Sequence, residues 1–338
     1  MAVSSTHERR DTRLRFEQWA RNPLCEANAI SAVHGVPMAE VAKREGTRPT
    51  MGQSPFAIAR GQTFERSLFR DGARRLREAL VKAGVLPETA QGFRDFRLRQ
   101  GGGPYRSLDE ALKVTAEFLR ELANVRTPRE QAAMPAVIAG AVVRIPGGMM
   151  LPEAICVIDV LGTASGKERP SLTVGEIKTY PDRGGYTDDA ELATARAQAG
   201  VYVHGLRLVL DDLGLSGKID VLDTGFLVLS RPGYSAPSIR ANEDLRYQAA
   251  RAERGFGRLR EIAARLGMTA DDDTIIRAVQ RAPVKYADVC VSFCDRAQSC
   301  HAAALREGDP AVLGEDVGRF LGSTTLNRAL ALLAGAQT

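Results

Sequence analysis

The chain has 338 residues, of which 44% are hydrophobic and 26% charged. That balance suits an ordinary globular protein of one large or two small domains, and it excludes both a disordered chain and a disulfide-stapled miniprotein. No run of eighteen apolar residues occurs, and Met1 to Arg10 lack an apolar signal segment, so no membrane span is predicted and the expected compartment is the cytoplasm. The formal net charge is +5, with seven lysines against 39 arginines. Arginine forks onto phosphate, so the excess permits a nucleic-acid partner without demonstrating one; on composition alone the simpler reading is a bias of the source genome.

Hydrophobic periodicity organises the chain in order. Residues up to about His34 read as helical, and Ala57 to Gly84 reads as one long helix with Phe64, Leu68, Leu76 and Leu80 on a stripe. Gly84 stands where a C-terminal glycine belongs. Gly101-Gly102-Gly103-Pro104 is a breaker, and another helix runs from Leu108 to about Asn124. Then the period changes. Ala136 to Ile145, Met149 to Leu161 and Ser171 to Tyr180 read as three strands whose short connections predict antiparallel pairing, with Gly162 to Pro170 as a polar loop. A helix from about Asp188 to Leu213 separates them from a fourth strand, Ile219 to Ser230, which predicts a crossover. From about Asn242 the chain reads as helical until the late cysteines. The implied domains are a helical segment 1–53, a core 54–240 with a helical insertion near 85–130, and a helical region 241–338.

Charged residues interrupt the apolar strands at few places. Asp159 follows Ile155-Cys156-Val157-Ile158, and a carboxylate in such a strand is costly unless paired or cation-bound. On the next strand, Glu176 and Lys178 share one face at period two. Were Asp159 and Glu176 adjacent, a divalent cation would relieve their repulsion, and oxygen ligands suit magnesium or manganese. Lys178 could then orient or deprotonate a water, or stabilise developing charge. An edge salt bridge explains the same residues. Glu65 lies beside the apolar stripe, one turn after Gly61, which would let another backbone approach; Glu65 is a candidate third carboxylate. On the helix after the third strand, Gln198 continues an apolar stripe one turn before Tyr202, so its amide needs partners.

Together these residues resemble the PD-(D/E)XK nuclease superfamily in its RecB-like branch. The resemblance rests on Gly61-x-x-x-Glu65, Ile158-Asp159, Gly175-Glu176-Ile177-Lys178 and Gln198-x-x-x-Tyr202 and covers roughly residues 54–230. It implies an α/β, restriction-endonuclease-like core with a central mixed sheet flanked by helices. It also implies metal binding by Glu65, Asp159, Glu176 and the Ile177 carbonyl, catalysis assisted by Lys178, and Gln198 and Tyr202 towards the nucleic-acid end. RecB-like members usually have a histidine where this chain has Glu65; other members of the superfamily use glutamate.

The five cysteines are Cys25, Cys156, Cys290, Cys294 and Cys300. Cys156 sits mid-strand and reads as a small buried hydrophobe. Four thiolates suit an iron–sulfur cluster or zinc, and zinc could also use Cys290, Cys294, Cys300 and His301 without Cys25. Cys290-x3-Cys294-x5-Cys300 with Cys25 far upstream is similar to the iron–sulfur branch of the same family, where the first late spacing is usually two residues. That similarity implies a [4Fe-4S] cluster joining the helical N- and C-terminal regions. The function implied is a Mg²⁺- or Mn²⁺-dependent deoxyribonuclease, end-processing or exonucleolytic and preferring single strands, in repair, CRISPR adaptation or phage defence. Its partners would be DNA and a helicase or other subunits of a repair or defence complex. The alternative is a DNA-binding scaffold subunit without catalysis. The chain has no Gly-x-x-x-x-Gly-Lys-Ser/Thr loop, so it is not itself a motor.

Overall fold

A computed structural model describes residues 12–49, 55–98, 107–147, 153–165, 169–266, 271–309, 320, 322 and 324–335. The expected breaker at Gly101–Pro104 and the start of the strand expected from Met149 lie outside these residues. The chain forms two compact units, one of residues 53–146 and 154–254, the other of residues 1–52, 147–153 and 255–338.

The first unit is an α/β layer built on a seven-stranded mixed sheet. Its strands are β1 (Phe93–Asp95), β2 (Val137–Ile145), β3 (Ala154–Ser165), β4 (Pro170–Pro181), β5 (Asp220–Val221), β6 (Thr224–Ser230) and β7 (Ser238–Asp244). The order is β1-β2-β3-β4-β6-β7, with β5 also on β4. β2, β3 and β4 form an antiparallel meander. β4 and β6 are parallel, as the intervening helix requires. β2 is Val-, Ile- and Ala-rich and buried at all but one position, the signature of a strand covered on both faces.

Helices cover the sheet. They are α4 (Pro55–Lys82), α5 (Leu108–Ala123), α6 (Pro128–Ala133) and α7 (Asp189–Asp212). The N-termini of α5, α6 and α7 have a local cause. Ser107 and Thr127 cap α5 and α6 through their side-chain oxygens, and Asp188 caps α7 by accepting from the N–H groups of Ala190 and Glu191. The Thr115 hydroxyl ties α5 to the sheet by accepting from the Val142 N–H at 2.9 Å.

Four sequence expectations are corrected. The helix from Ala57 to Gly84 is not continuous: Arg70 is extended (ψ 150°) and Asp71, Gly72 and Ala73 have φ of 54°, 65° and 55°. Only glycine adopts that region without steric cost. Burial of Leu68, Phe69, Ala73, Leu76 and Leu80 offsets the strain at Asp71 and Ala73. The strand expected to end at Leu161 runs to Ser165, because Gly162 to Ser165 pair with Thr173 to Pro170. Ile219 to Ser230 is two strands, interrupted where the Leu222 N–H bonds Leu172 and the Asp223 carbonyl takes the Leu245 N–H. The 85–130 stretch is not purely helical: β1 lies in it and pairs in parallel with β2.

The second unit is helical. It contains α1 (Thr12–Arg21), α2 (Glu26–His34), α3 (Met38–Arg44), α9 (Asp272–Arg281), a 3-10 turn (Asp288–Ser292), α10 (Ala297–Glu307) and α11 (Leu326–Leu333). The unit boundary falls within α8 (Arg246–Leu266). Ala27, Ile30, Val41, Ile275, Ile276 and Val279 share its core with three of the cysteines, Cys25, Cys290 and Cys294. Arg296, 7% exposed, is held by both oxygens of Glu45 at 3.0 and 2.7 Å. A bidentate guanidinium–carboxylate pair is the arrangement that tolerates such burial. Among the described residues no helix is long and apolar enough to cross a membrane.

Candidate functional site

The site of the sheet unit lies where β3 and β4 part. Their pairing runs from Ser165–Pro170 to Val160–Gly175 and stops there. At the next position the Asp159 side chain replaces the backbone, accepting the Ile177 N–H at 2.9 Å. This fixes a carboxylate at the mouth of the fork. Glu176 has no solvent exposure, and its Oε1 lies 2.6 Å from the Lys178 ammonium. Lys178 also donates to Gln198 Oε1 at 2.8 Å, and Gln198 Nε2 donates to the Tyr202 hydroxyl at 2.7 Å. A chain Glu176–Lys178–Gln198–Tyr202 thus spans from β4 to α7.

Burial acts to lower the Lys178 pKa, but the carboxylates of Glu176 and then Asp159 outweigh it, and the pKa is raised above the usual lysine value. Lys178 therefore carries its proton at neutral pH. Among the described residues, Glu176 and Gln198 take two of its N–H directions, which leaves a third for an incoming oxygen. Tyr202 is 1% exposed. Its hydroxyl orients the Gln198 amide from inside and is out of reach of a molecule arriving from solvent.

Glu65 reaches the same region from α4. Burial raises its pKa, Arg97 opposes that, and Asp159 and Asp95 raise it further, so these charges share one field. Arg97 Nη1 donates to Glu65 Oε1, and Arg97 Nε and Nη2 grip Asp95 at 2.8 and 2.7 Å. The structure does not support the role expected for Gly61: a side chain there would meet nothing within 4 Å. The close approach is at Gly140 instead. Its φ is +70°, and a Cβ on it would stand 2.2 Å from Arg97 Cγ. The register on either side places Gly140 opposite Asp159.

Asp95, Arg97 and Gly140 were not legible as site residues. Arg94-Asp95-Phe96-Arg97 looks like a solvated charge run, and only the pairing of β1 with β2 brings it beside Asp159. Of the residues singled out from sequence, Glu65, Asp159, Glu176, Ile177, Lys178, Gln198 and Tyr202 all converge here.

The second unit gathers the cysteines. Cys25, Cys290, Cys294 and Cys300 line one small pocket, with Asn22, Tyr286 and Arg296 among its other walls. All are free thiols. Cys25 occupies the N-cap of α2 without a side-chain capping bond. Asn22 Nδ2 donates to Cys290 Sγ at 3.3 Å. Burial pushes the Cys294 thiol up to about 12 and Cys300 to about 11, with the neighbouring cysteines adding to the rise in both. Cys156 is apart from this group, 1% exposed within β3, as its sequence setting predicts.

Among the described residues, no group of three or more His, Cys, Asp or Glu side chains is arranged to hold a metal ion. The carboxylates of the fork are turned to Arg97, Lys178 and a backbone N–H, and burial holds the Cys294 and Cys300 thiols above the ordinary cysteine range. Comparison with known proteins adds no family: no family model and no curated protein matches the chain. Fold and site together define an α/β protein with a carboxylate cluster and a fixed ammonium at a strand fork.

Proposed function

We propose that the chain is a metal-dependent deoxyribonuclease with a restriction-endonuclease-like core. The observation that carries this reading is the fork: two carboxylates on adjacent strands meet where pairing stops, and a charged ammonium is clamped beside them by an amide from a third element. A pure scaffold gains nothing from placing Glu176 at zero exposure beside Lys178.

The donor set suits a hard cation. Asp159, Glu176 and the Ile177 carbonyl, with Glu65 alongside, would hold Mg²⁺ or Mn²⁺ through oxygen. When bound, that cation supplies a water nucleophile of lowered pKa and offsets charge on the phosphoryl oxygens. The residues do the rest. Lys178, kept protonated by its carboxylates, acts as a hydrogen-bond donor and fixed charge towards a phosphate oxygen, not as the base. Gln198 holds the ammonium in line, and Tyr202 holds Gln198. The net charge of +5 suits a polyanionic substrate.

The donor chemistry of the four cysteines supports a soft-metal group, although among the described residues their side chains are not grouped as a ligand set: four free thiols line one pocket, from both ends of the same unit. We assign them to a [4Fe-4S] cluster, with zinc the second candidate. The cluster is structural in this reading, pinning α2 to the late cysteines.

The test is cleavage of end-labelled single- and double-stranded DNA by the purified chain. The reading expects cleavage with Mg²⁺ or Mn²⁺ and none in EDTA. DNA binding without cleavage under every cation condition would favour the scaffold reading.

A further inference from the structure

Arg97 lies in the carboxylate cluster although it follows no nuclease motif in the sequence. Each of its three guanidinium nitrogens makes one bond to a carboxylate. Nε and Nη2 bond the two oxygens of Asp95, the backbone N–H bonds Asp95 Oδ1 at 3.0 Å, and Nη1 bonds Glu65. The guanidinium carbon stands 4.5 Å from the centre of the Phe69 ring, and the stem crosses Gly140. Gly140 faces Asp159 across the β2–β3 pair, so the Arg97 stem crosses the sheet beside Asp159, whose charge acts on the guanidinium. Arginine does not give up its proton, so this charge is permanent.

The placement matters because Glu65 is one of the carboxylates assigned to the cation. A guanidinium and a divalent cation cannot both sit against the same oxygen without strong repulsion. Nor is Arg97 locked in: its side chain is 32% exposed and that of Glu65 34%. Release from Glu65 breaks the Nη1 bond alone and leaves the pair with Asp95 in place.

We propose that Arg97 is the internal counter-ion of the cluster, and that a divalent cation binds there only by displacing its guanidinium from Glu65. This rests on the metal-site reading above. It gives Arg97 two stations, on the carboxylates before the cation arrives and free to meet a phosphate afterwards. As a positioning residue it couples cation and DNA binding: an anionic strand that engages the released guanidinium favours the cation-loaded state.

The test is a titration with MnCl₂, following the free-ion electron paramagnetic resonance signal, on the full chain and on Arg97→Gln and Arg97→Lys. Asp159→Ala defines binding elsewhere, which is subtracted. Arg97→Gln is expected to bind Mn²⁺ at the Asp159-dependent site at least about tenfold more tightly than wild type, since it removes a repelling unit charge at close range. Arg97→Lys, which keeps the charge but not the fork, should fall between them. Equal or weaker binding by Arg97→Gln overturns the proposal and leaves the metal site standing. No Asp159-dependent binding in any variant overturns both. If Arg97→Gln does not fold, Arg97→Lys decides: affinity no tighter than wild type refutes displacement.

Discussion

Lys178→Met removes the ammonium while keeping most of the side-chain volume, and its cost can be bounded from the structure. Glu176 is fully buried and Lys178 is 23% exposed, at 2.6 Å. Stripping one partner from a fully buried pair costs about 3–5 kcal/mol. Proton uptake limits the loss here. A carboxyl of ordinary pKa, about 4.3, can be protonated at pH 7 for about 3.7 kcal/mol, so the buried carboxylate need never cost more. With the partial exposure of Lys178, the expected loss at pH 7 is about 2–3 kcal/mol. The pH dependence carries the sign. In the variant the Glu176 pKa is raised above its unfolded value, so the penalty is absent below that unfolded value and grows as pH rises above it. At pH 5 the deficit should shrink to about 1 kcal/mol. In the wild type the Lys178 pKa is raised, so its stabilisation is present below the usual lysine value and is lost as pH rises through the folded one. The assay is urea unfolding in EDTA at pH 5, 7 and 8, so that no cation replaces the ammonium. A deficit under about 0.5 kcal/mol at pH 7, or one equal at pH 5 and 7, would refute the buried-pair argument.

Other outcomes follow from the same structure. Gly175→Ala should destabilise the sheet unit by about 1–3 kcal/mol. Its Cβ would stand 2.2 Å from Phe226 Cε2 and 2.7 Å from Val160 Cγ1, next to Glu176. An unchanged urea midpoint would show that Phe226 yields freely. Anaerobically purified chain should carry about four irons and four sulfides, with visible absorption lost in Cys25→Ala. Zinc alone, retained in Cys25→Ala, would assign the late cysteines and His301 instead.

Much of the site was legible because its chemistry is local in sequence. Glu176 and Lys178 share a strand face by period two, Gln198 and Tyr202 share a helix face by i, i+4, and Asp159 stands out as a carboxylate in an apolar strand. The crossover between β4 and β6 followed from the helix between them. What was not legible depends on distant pairing. β1 is three residues long, too short for a period, yet it delivers Asp95 and Arg97 to the fork. The break at Arg70–Ala73 places two non-glycine residues at positive φ, which no propensity favours. Gly140 reads as an ordinary strand residue until Arg97 is laid across it. In the helical unit, spacing alone grouped the three late cysteines, while Cys25 joins them only through the packing of α2 on α9.

The central claim is that the fork hydrolyses phosphodiesters. The most direct measurement is cleavage of end-labelled DNA with Mn²⁺ or Mg²⁺ by wild type, Asp159→Ala and Lys178→Ala, each checked for folding by circular dichroism. The account predicts cation-dependent cleavage by the wild type and a loss of at least about 100-fold in both variants, the order expected when a fixed charge at the reacting group is removed. Equal cleavage by all three folded proteins would contradict it.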